Sequence, residues 1–518
     1  MKKIISLMLM LMIITSLAAC TKPKSQEGQK TESFTEKADG TVSEDSYSKN
    51  DSANHTSDTT TNSSNPLWES DKMENISNET STSTDNSTGS SEAQDPKVDS
   101  IILYEYETID ATVAHVQSFY KNTKYTVSDL TYTNIYALHN HGGVVGKWVD
   151  FEWKYSADLK VKSAQFLLST NKDMKNATVS DVKNKETKFS VANLYTDTYY
   201  YWQVRVTTTD GKVLTSKIAK TKTNTGRRII YLDGIKNVRD LGGIITKSGK
   251  PIKQGLLYRS KRFDYEGDGE PEITPKGIEI ARNVLKIRTD LDLRHSSEMG
   301  TSIDNTSPIG KDVNYVHINS AQYDNFFDSG KNNESEIMKV FANFDNYPII
   351  FHCVYGADRS GTVAYILGAL VGAENDELSK DYELTGWRKR IDADFVNLVN
   401  KSMSDEYKGN TLKEKTYSFL YEKLGLTKME LSNIENILLT DSAVFKSDSL
   451  SKPIKNADGK IEYSINYRCS KEILSVKSGA DCLKFKKTEN GIEIDVSLAK
   501  HNCGVINFDD GNCLELEW

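Results

Sequence analysis

Apolar positions divide the chain into stretches of different character. Ile4 through Leu17 form an unbroken apolar run behind Lys2 and Lys3, the length and charge of an export signal rather than of a spanning helix. From residue 21 to 98 the pattern lapses. Ser, Thr, Asn, Asp, Glu and Lys dominate there, and Phe34, Tyr47, Leu67, Trp68 and Ile76 are among the few large apolar side chains. Such a stretch cannot bury enough surface to offset its ordering entropy and reads as a disordered stalk. From residue 99 apolar positions return, now alternating. Val149–Trp153, Ala164–Leu168 and Lys188–Ala192 read as strands. In Thr198–Val206, Tyr200, Trp202, Val204 and Val206 fall on one face, as a half-buried sandwich strand requires, and an Asp210-Gly211 turn leads into Val213–Thr215. Residues 99 to 125 read as an added strand or helix packed on this sandwich.

The period then changes. Pro348–Phe351 is a short apolar run suited to a buried parallel strand, and Val363–Val371 is apolar nearly all round, as a buried helix is. Helices are predicted over Lys389–Asp441, for example Thr416–Leu424 with Gly425 as a stop. From Ser447 short strands return at Lys460–Ile465, Leu483–Lys486 and Gly491–Val496, a small all-β piece.

Composition narrows the function. A length of 518 residues implies two to four folded units. The chain is 37% hydrophobic and 27% charged, and the stalk explains a mean hydropathy of -0.54. A net charge of -8, from 65 basic and 73 acidic residues, argues against a general nucleic-acid binder. A single long apolar run excludes a polytopic membrane protein. Six cysteines are too few for a disulfide scaffold over the whole chain. Cys469, Cys482, Cys503 and Cys513 cluster in the C-terminal piece, where an exported setting favours two disulfides, with three connectivities open. None of their spacings is C-x-x-C, so zinc is the minor alternative.

The chemistry is concentrated in His352-Cys353-Val354-Tyr355-Gly356-Ala357-Asp358-Arg359-Ser360-Gly361-Thr362, placed between the predicted strand and helix. A loop ending at a helix N-terminus aims several backbone N–H groups at one spot, and the helix dipole adds partial positive charge, so a phosphate dianion fits there. The backbone of Val354, Tyr355, Gly356, Ala357 and Asp358 supplies those groups, and the same groups favour the thiolate of Cys353. Arg359 closes the ring with a planar fork for two phosphate oxygens. Gly356 permits the mid-loop turn, and the Ser360 hydroxyl eases departure of sulfur. His352, pointing away from substrate, is expected to orient the loop through backbone hydrogen bonds. The alternatives are a buried free cysteine on a strand–helix turn and a rhodanese-like sulfur-transfer loop, which the Ser360-Gly361 exit fits poorly.

The full string resembles the phosphate-binding signature of cysteine-dependent protein tyrosine phosphatases. With Asn237-Val238-Arg239-Asp240-Leu241-Gly242-Gly243, Gly255–Ser260, Ile273–Gly277, Asp290–Arg294 and Asp381–Thr385 it looks like the bacterial tyrosine/serine phosphatase family, over residues 228 to 441. The resemblance implies an α/β domain with a central, mostly parallel sheet flanked by helices, and no metal or other cofactor. One departure is Ala357, where the family usually has a lysine associated with phosphoinositides; Ser360 replaces a threonine and keeps its hydroxyl. Two further resemblances complete the reading. Asn193–Val204 resembles a fibronectin type III domain, over roughly residues 126 to 224, expected to space or bind. Leu17-Ala18-Ala19-Cys20 resembles a bacterial lipobox, which implies lipid on the Cys20 thiol; the alternative is a plain signal peptide.

The expected organisation is therefore multidomain: signal 1–20, stalk 21–98, fibronectin III-like β-sandwich 99–225, α/β tyrosine-phosphatase-like catalytic domain 228–445, and a Cys-containing all-β domain 447–518. A general acid must protonate the leaving oxygen. Asp358 matches the family aspartate and is favoured, Asp292 is second, and Asp324 could act from a flap. Arg239, Asp240 and Arg294 read equally as structural ion-pair partners or site residues. The expected function is a membrane-anchored, extracytoplasmic phosphatase acting on phosphotyrosine in phosphoproteins or phosphopeptides, with a surface or host ligand for the β domains and no nucleic acid. The alternatives are a phosphoinositide or small phosphate-ester phosphatase, and a surface adhesion protein with an inactive phosphatase fold.

Overall fold

The computed structural model describes residues 100–121, 146–183, 186–264, 272–299, 306–321, 325–328, 331–384, 407–469 and 472–518. Cys20, the stalk and Asp324 lie outside the described residues.

The alternating segments form two facing sheets. Strands β1 (Ile101–Leu103), β3 (Trp148–Tyr155) and β6 (Lys188–Ala192) make one sheet. The other runs β2 (Thr108–Ile109), β9 (Ala219–Thr223), β7 (Tyr199–Thr208), β4 (Val161–Ser169), β5 (Thr178–Val182), with β8 (Val213–Thr215) on β7. Tyr200, Trp202, Val204 and Val206 all point inward from β7. There they meet Phe151 and Trp153 of the opposite sheet, Phe151 lying edge-on to Trp202 at 5.3 Å between ring centroids. Aromatic side chains bury large areas each and contribute strongly to the stability of a core of this kind. The Tyr200 hydroxyl accepts from the Tyr195 amide at 2.8 Å, a tyrosine corner of the kind that ties the turn into such sandwiches. The segment ahead of it contains both structures left open by the sequence, β1 and β2 plus the helix α1 (Ala114–Lys121).

The second unit is built on five strands in the order β10 (Arg239–Asp240), β11 (Leu257–Lys261), β14 (Ile349–Cys353), β12 (Thr289–Asp292), β13 (Asn314–His317). Only the pairing of β10 with β11 is antiparallel. Every residue of β14 is buried, which is why its sequence is continuously apolar up to His352. The helices are α2 (Pro275–Glu279), α3 (Lys331–Ala342), α4 (Asp358–Leu370), α5 (Asn375–Glu383), α6 (Leu412–Ser418) and α7 (Lys428–Leu439). Thr274 caps α2, its hydroxyl accepting from the Gly277 amide at 3.0 Å with Pro275 in the first turn, so the Ile273–Gly277 segment is a helix start. α4 is buried along its whole length. Gly361 and Gly368 let α5 approach it, since a Cβ there would stand 2.8 Å from Tyr382 and 2.4 Å from Leu378. Among the described residues no helix is long and apolar enough to cross a membrane.

The C-terminal strands form two four-stranded sheets. One is β15 (Ala443–Phe445), β16 (Lys460–Tyr467), β20 (Gly491–Asp495), β19 (Phe485–Lys487); the other is β18 (Asp481–Leu483), β17 (Ile473–Ser478), β21 (Cys503–Phe508), β22 (Cys513–Glu517). They are not a detached appendage. Their inward residues, among them Tyr463, Ile494 and Leu516, belong to the same apolar core as α7 and β14. Asn436 of α7 donates to the Cys513 carbonyl at 2.8 Å, and Tyr417 and Tyr421 bond Glu515 and Glu517. A boundary at 445 would cut a sheet, because β15 pairs with β16.

The expected disulfides are not formed: Cys469, Cys482, Cys503 and Cys513 are all free thiols. Strand register is the reason. Cys482 on β18 and Cys503 on β21 flank β17, two strand spacings or roughly 10 Å apart, beyond the reach of a disulfide. Cys513 lies opposite Asn507, four residues along β21 from Cys503 and roughly 13 Å away.

Candidate active site

β14 ends at Cys353 and α4 begins at Asp358, so the chain must turn within four residues at the carboxyl end of the central strand. This is where parallel α/β sheets open to ligands. Gly356 makes the turn possible, with φ +68° and no room for a side chain: a Cβ would stand 2.2 Å from the Ser260 carbonyl oxygen.

The carbonyls of this loop are held from behind. The Arg262 amide donates to Val354 O at 3.4 Å, Asn237 Nδ2 to Tyr355 O at 2.9 Å, and Arg259 Nη2 to Gly356 O at 2.8 Å and Ala357 O at 3.0 Å. In a trans peptide N–H and C=O point opposite ways, so the amides of residues 355 to 358 are turned to the other face. The N-terminus of the thirteen-residue α4 adds its dipole. The result is a concave set of donors beside the Cys353 sulfur.

A buried ion cluster holds those holders. Asp381 on α5 accepts from Arg259 Nη1 at 2.5 Å and Arg239 Nε at 3.2 Å, and its carbonyl from Arg239 Nη2 at 2.8 Å. Burial alone would raise the Asp381 pKa, but Arg239, Arg259 and Arg227 outweigh it and hold the carboxyl below its usual range. Arg239 also bonds Asn237 Oδ1. Asp240 faces the other way, accepting from the Gly242 and Gly255 amides and Arg228, each at 2.7 Å. Burial is the dominant influence on Asp240 and pushes its pKa up. Arg239 is thus tied into the cluster behind the loop through Asp381 and Asn237, whereas Asp240 ties the Gly242 and Gly255 amides to Arg228. Of the cluster, sequence reasoning assigned no role to Asn237, Arg259 or Asp381, although all three lie in segments it singled out.

Arg359 is only 8% exposed and lies close enough to Cys353 for their charges to interact. Its Nη1 and Nη2 donate to the two Glu298 carboxylate oxygens at 2.5 and 2.9 Å. Its buried Nε has no hydrogen-bond partner among the described residues, leaving a donor for an oxyanion. Burial works against the guanidinium charge, but Glu298, Cys353 and Asp358 more than offset it. Sequence reasoning missed Glu298; its signal is a capping box with His295, one residue past Arg294.

The other expected site residues separate into two groups. Ser360 is fully buried, and its hydroxyl has no partner among the described residues. Asp358 is 7% exposed, and its carboxylate accepts from Tyr382 at 3.3 Å. Asp292 is different. It is fully buried and bonded to Arg294 and to the Tyr315 hydroxyl. Burial opposes its charge, but His352 and Arg294 drive its pKa far below the carboxylate range. Its carboxylate is buried and engaged by Arg294 and the Tyr315 hydroxyl rather than presented to the loop, the place of a structural anion. Arg294 is likewise structural, spanning Asp292 and Asp264. His352 also departs from expectation: its ring is held not by backbone bonds but between carboxylates, Nε2 3.1 Å from Asp290 and Nδ1 3.8 Å from Asp292.

Residues 230–440 match the Tyrosine phosphatase family. A Cupriavidus necator protein whose name marks it as a candidate tyrosine-protein phosphatase is 25% identical over 187 residues, 30% of this chain. The chain spans 63% of that relative's length. Among solved structures, the core catalytic domain of the PP-IP phosphatase SIW14 from S. cerevisiae, in complex with citrate, matches 29% of this chain and 82% of its own. Its sequence identity is 15% and the TM-score 0.21. The twitchin kinase region from C. elegans covers 71% of this chain and 96% of its own at 9% identity and TM-score 0.14. Neither superposition is close enough to carry weight.

Proposed function

We propose that this chain is an exported, lipid-anchored phosphatase that hydrolyses phosphotyrosine esters of proteins through a phosphocysteine intermediate. The carrying observation is the loop after β14, whose carbonyls are pinned by Arg262, Asn237 and Arg259 so that its amides converge beside Cys353 and Arg359. The Tyrosine phosphatase family match over residues 230–440 supports the reaction class.

In this reading the Cys353 thiolate attacks phosphorus. An S–P bond forms as the ester P–O bond breaks, and Asp358 gives its proton to the departing phenolate oxygen. Water then attacks the phosphocysteine and passes a proton back to Asp358, releasing phosphate and thiolate. The Ser360 hydroxyl donates to the leaving sulfur. Arg359 Nε and the loop amides hold the equatorial oxygens throughout, where preorganised donors act most strongly. Ala357, replacing the lysine of related loops, favours peptide over inositol lipid. The Tyr200–Tyr195 corner supports a fibronectin III-like sandwich that spaces or binds a surface ligand. The Leu17–Cys20 segment supports anchoring outside the cytoplasm through Cys20.

The test is phosphate release from a phosphotyrosine peptide and an inositol lipid by the full chain. Wild type should turn over the peptide faster, and Cys353→Ser should be inactive; a fully active Ser variant removes the nucleophile assignment. Release of the chain from membranes by Cys20→Ala checks the anchor.

A further inference from the structure

The ion cluster behind the phosphate loop has a link that comes from outside the α/β unit. Besides Arg259 and Arg239, Asp381 faces Arg227, whose Nη1 lies 3.9 Å from Oδ1. Arg227 is buried, and its Nη2 donates to the Glu377 carbonyl at 2.9 Å and carboxylate at 2.5 Å. Its own carbonyl accepts from the Thr112 hydroxyl at 3.0 Å. The ring of Tyr120 lies over the guanidinium, with the carbon 4.3 Å from the ring centroid. Lys380, one residue before Asp381, reaches the Tyr120 carbonyl at 3.4 Å. Tyr120 stands at the end of α1, whose Val116 and Phe119 are buried with Ile229 and Leu384. The segment ahead of the sandwich is therefore wedged against the helix that carries Asp381.

Three guanidinium groups share this buried space with the carboxylates of Asp381 and Glu377, so positive charge is in excess. Arg239 registers the crowding, its pKa pushed down to about 10 by burial and by Arg259. A ring face supplies partial negative potential and excludes water. The buried Tyr120 hydroxyl also lies beside Arg227, so Phe and Leu variants separate the ring face over the guanidinium from the hydroxyl.

We infer that Tyr120 is a positioning residue for the phosphate loop: its ring holds Arg227 against Asp381, and Asp381 keeps Arg259 aimed at the carbonyls of Gly356 and Ala357. The inference rests on the phosphatase reading above, and it makes the N-terminal unit part of the catalytic device rather than a spacer. The experiment compares full-length wild type, Tyr120→Phe, Tyr120→Leu and Thr112→Val. Tungstate, a tetrahedral oxyanion, reports loop geometry by calorimetry, alongside kcat and KM on a phosphotyrosine peptide. Tyr120→Phe, which keeps the ring, should match wild type. Tyr120→Leu should weaken tungstate binding about five- to thirtyfold, the range a desolvated cation–π contact represents, and lower kcat more than it raises KM. A folded Leu variant with wild-type tungstate affinity and kcat overturns the inference, as does a Phe variant that falls as far as Leu. If the Leu chain does not fold, Thr112→Val decides, with unchanged tungstate affinity overturning the inference and weakened affinity supporting it. A wild-type chain that binds no tungstate removes the phosphatase reading itself, and this inference with it.

Discussion

The Glu298 carboxylate grips the Arg359 guanidinium with both oxygens, at 2.5 and 2.9 Å, from a turn that follows β12, the strand next to the one ending in Cys353. A two-point bond fixes the plane of the fork as well as its place. It turns the Nε, which has no hydrogen-bond partner among the described residues, into a directed donor.

Replacing Glu298 by Gln should keep one bond and lose the charge. We expect kcat/KM to fall about tenfold, or about 1.4 kcal/mol of transition-state stabilisation, with more lost in Glu298→Ala. Steady-state kinetics on a phosphotyrosine peptide checks it, and an unchanged kcat/KM would show that Arg359 is held by other means.

Gly356→Ala should be far more damaging than its size suggests. The residue needs φ +68°, and the added carbon would meet Ser260 O at 2.2 Å. Strain of about 1–3 kcal/mol is expected, with most of the turnover lost as the loop shifts. Gly211→Ala is the control: φ is +85° but nothing lies within 4 Å, so it should lower the melting temperature slightly and leave turnover intact.

The His352 site predicts a pH-dependent stability. Burial lowers the imidazole pKa, but Asp292 and Asp290 more than reverse it, so the folded value lies above the free value of 6.5. A raised folded pKa contributes stability that is fully present below pH 6.5 and fades as pH rises through the folded value. The melting temperature of wild type minus that of His352→Gln should therefore be largest in mild acid and shrink toward alkaline pH. A constant difference across that range would remove the charged pairing.

Asn433 on α7 joins three elements. Its side chain donates to Ala342 O at 3.0 Å and Phe445 O at 2.8 Å and accepts from the Phe445 amide at 2.7 Å, all buried. Asn433→Ala leaves those groups unpaired and should destabilise by about 2–4 kcal/mol, because each stranded buried group costs about 1–3 kcal/mol and such costs add incompletely. Denaturant melts measure it; kcat at low temperature should not change.

Much of the site could be read in advance because its parts are adjacent in the chain. A strand, a four-residue turn and a helix place Cys353, Gly356, Arg359 and Ser360 together by local geometry alone. The alternation that put Tyr200, Trp202, Val204 and Val206 on one face is local in the same sense. What surrounds the loop was not readable. Asn237, Arg259, Glu298 and Asp381 reach it from four separate segments, and no periodicity encodes which carbonyl each will meet. Asp292 shows the reverse: its place at the end of a predicted strand made it the second candidate acid, and its contacts with Arg294, Tyr315 and His352 became visible only in the fold.

The same division applies to the C-terminal strands. Their existence follows from short-range pattern, whereas their docking on α7 and the separation of Cys482, Cys503 and Cys513 follow from which strand pairs with which. Element type is set by side-chain spacing along a few residues of backbone. Charge neutralisation, thiol pairing and proton availability depend on distances across the fold, and those exist only once the layers have packed.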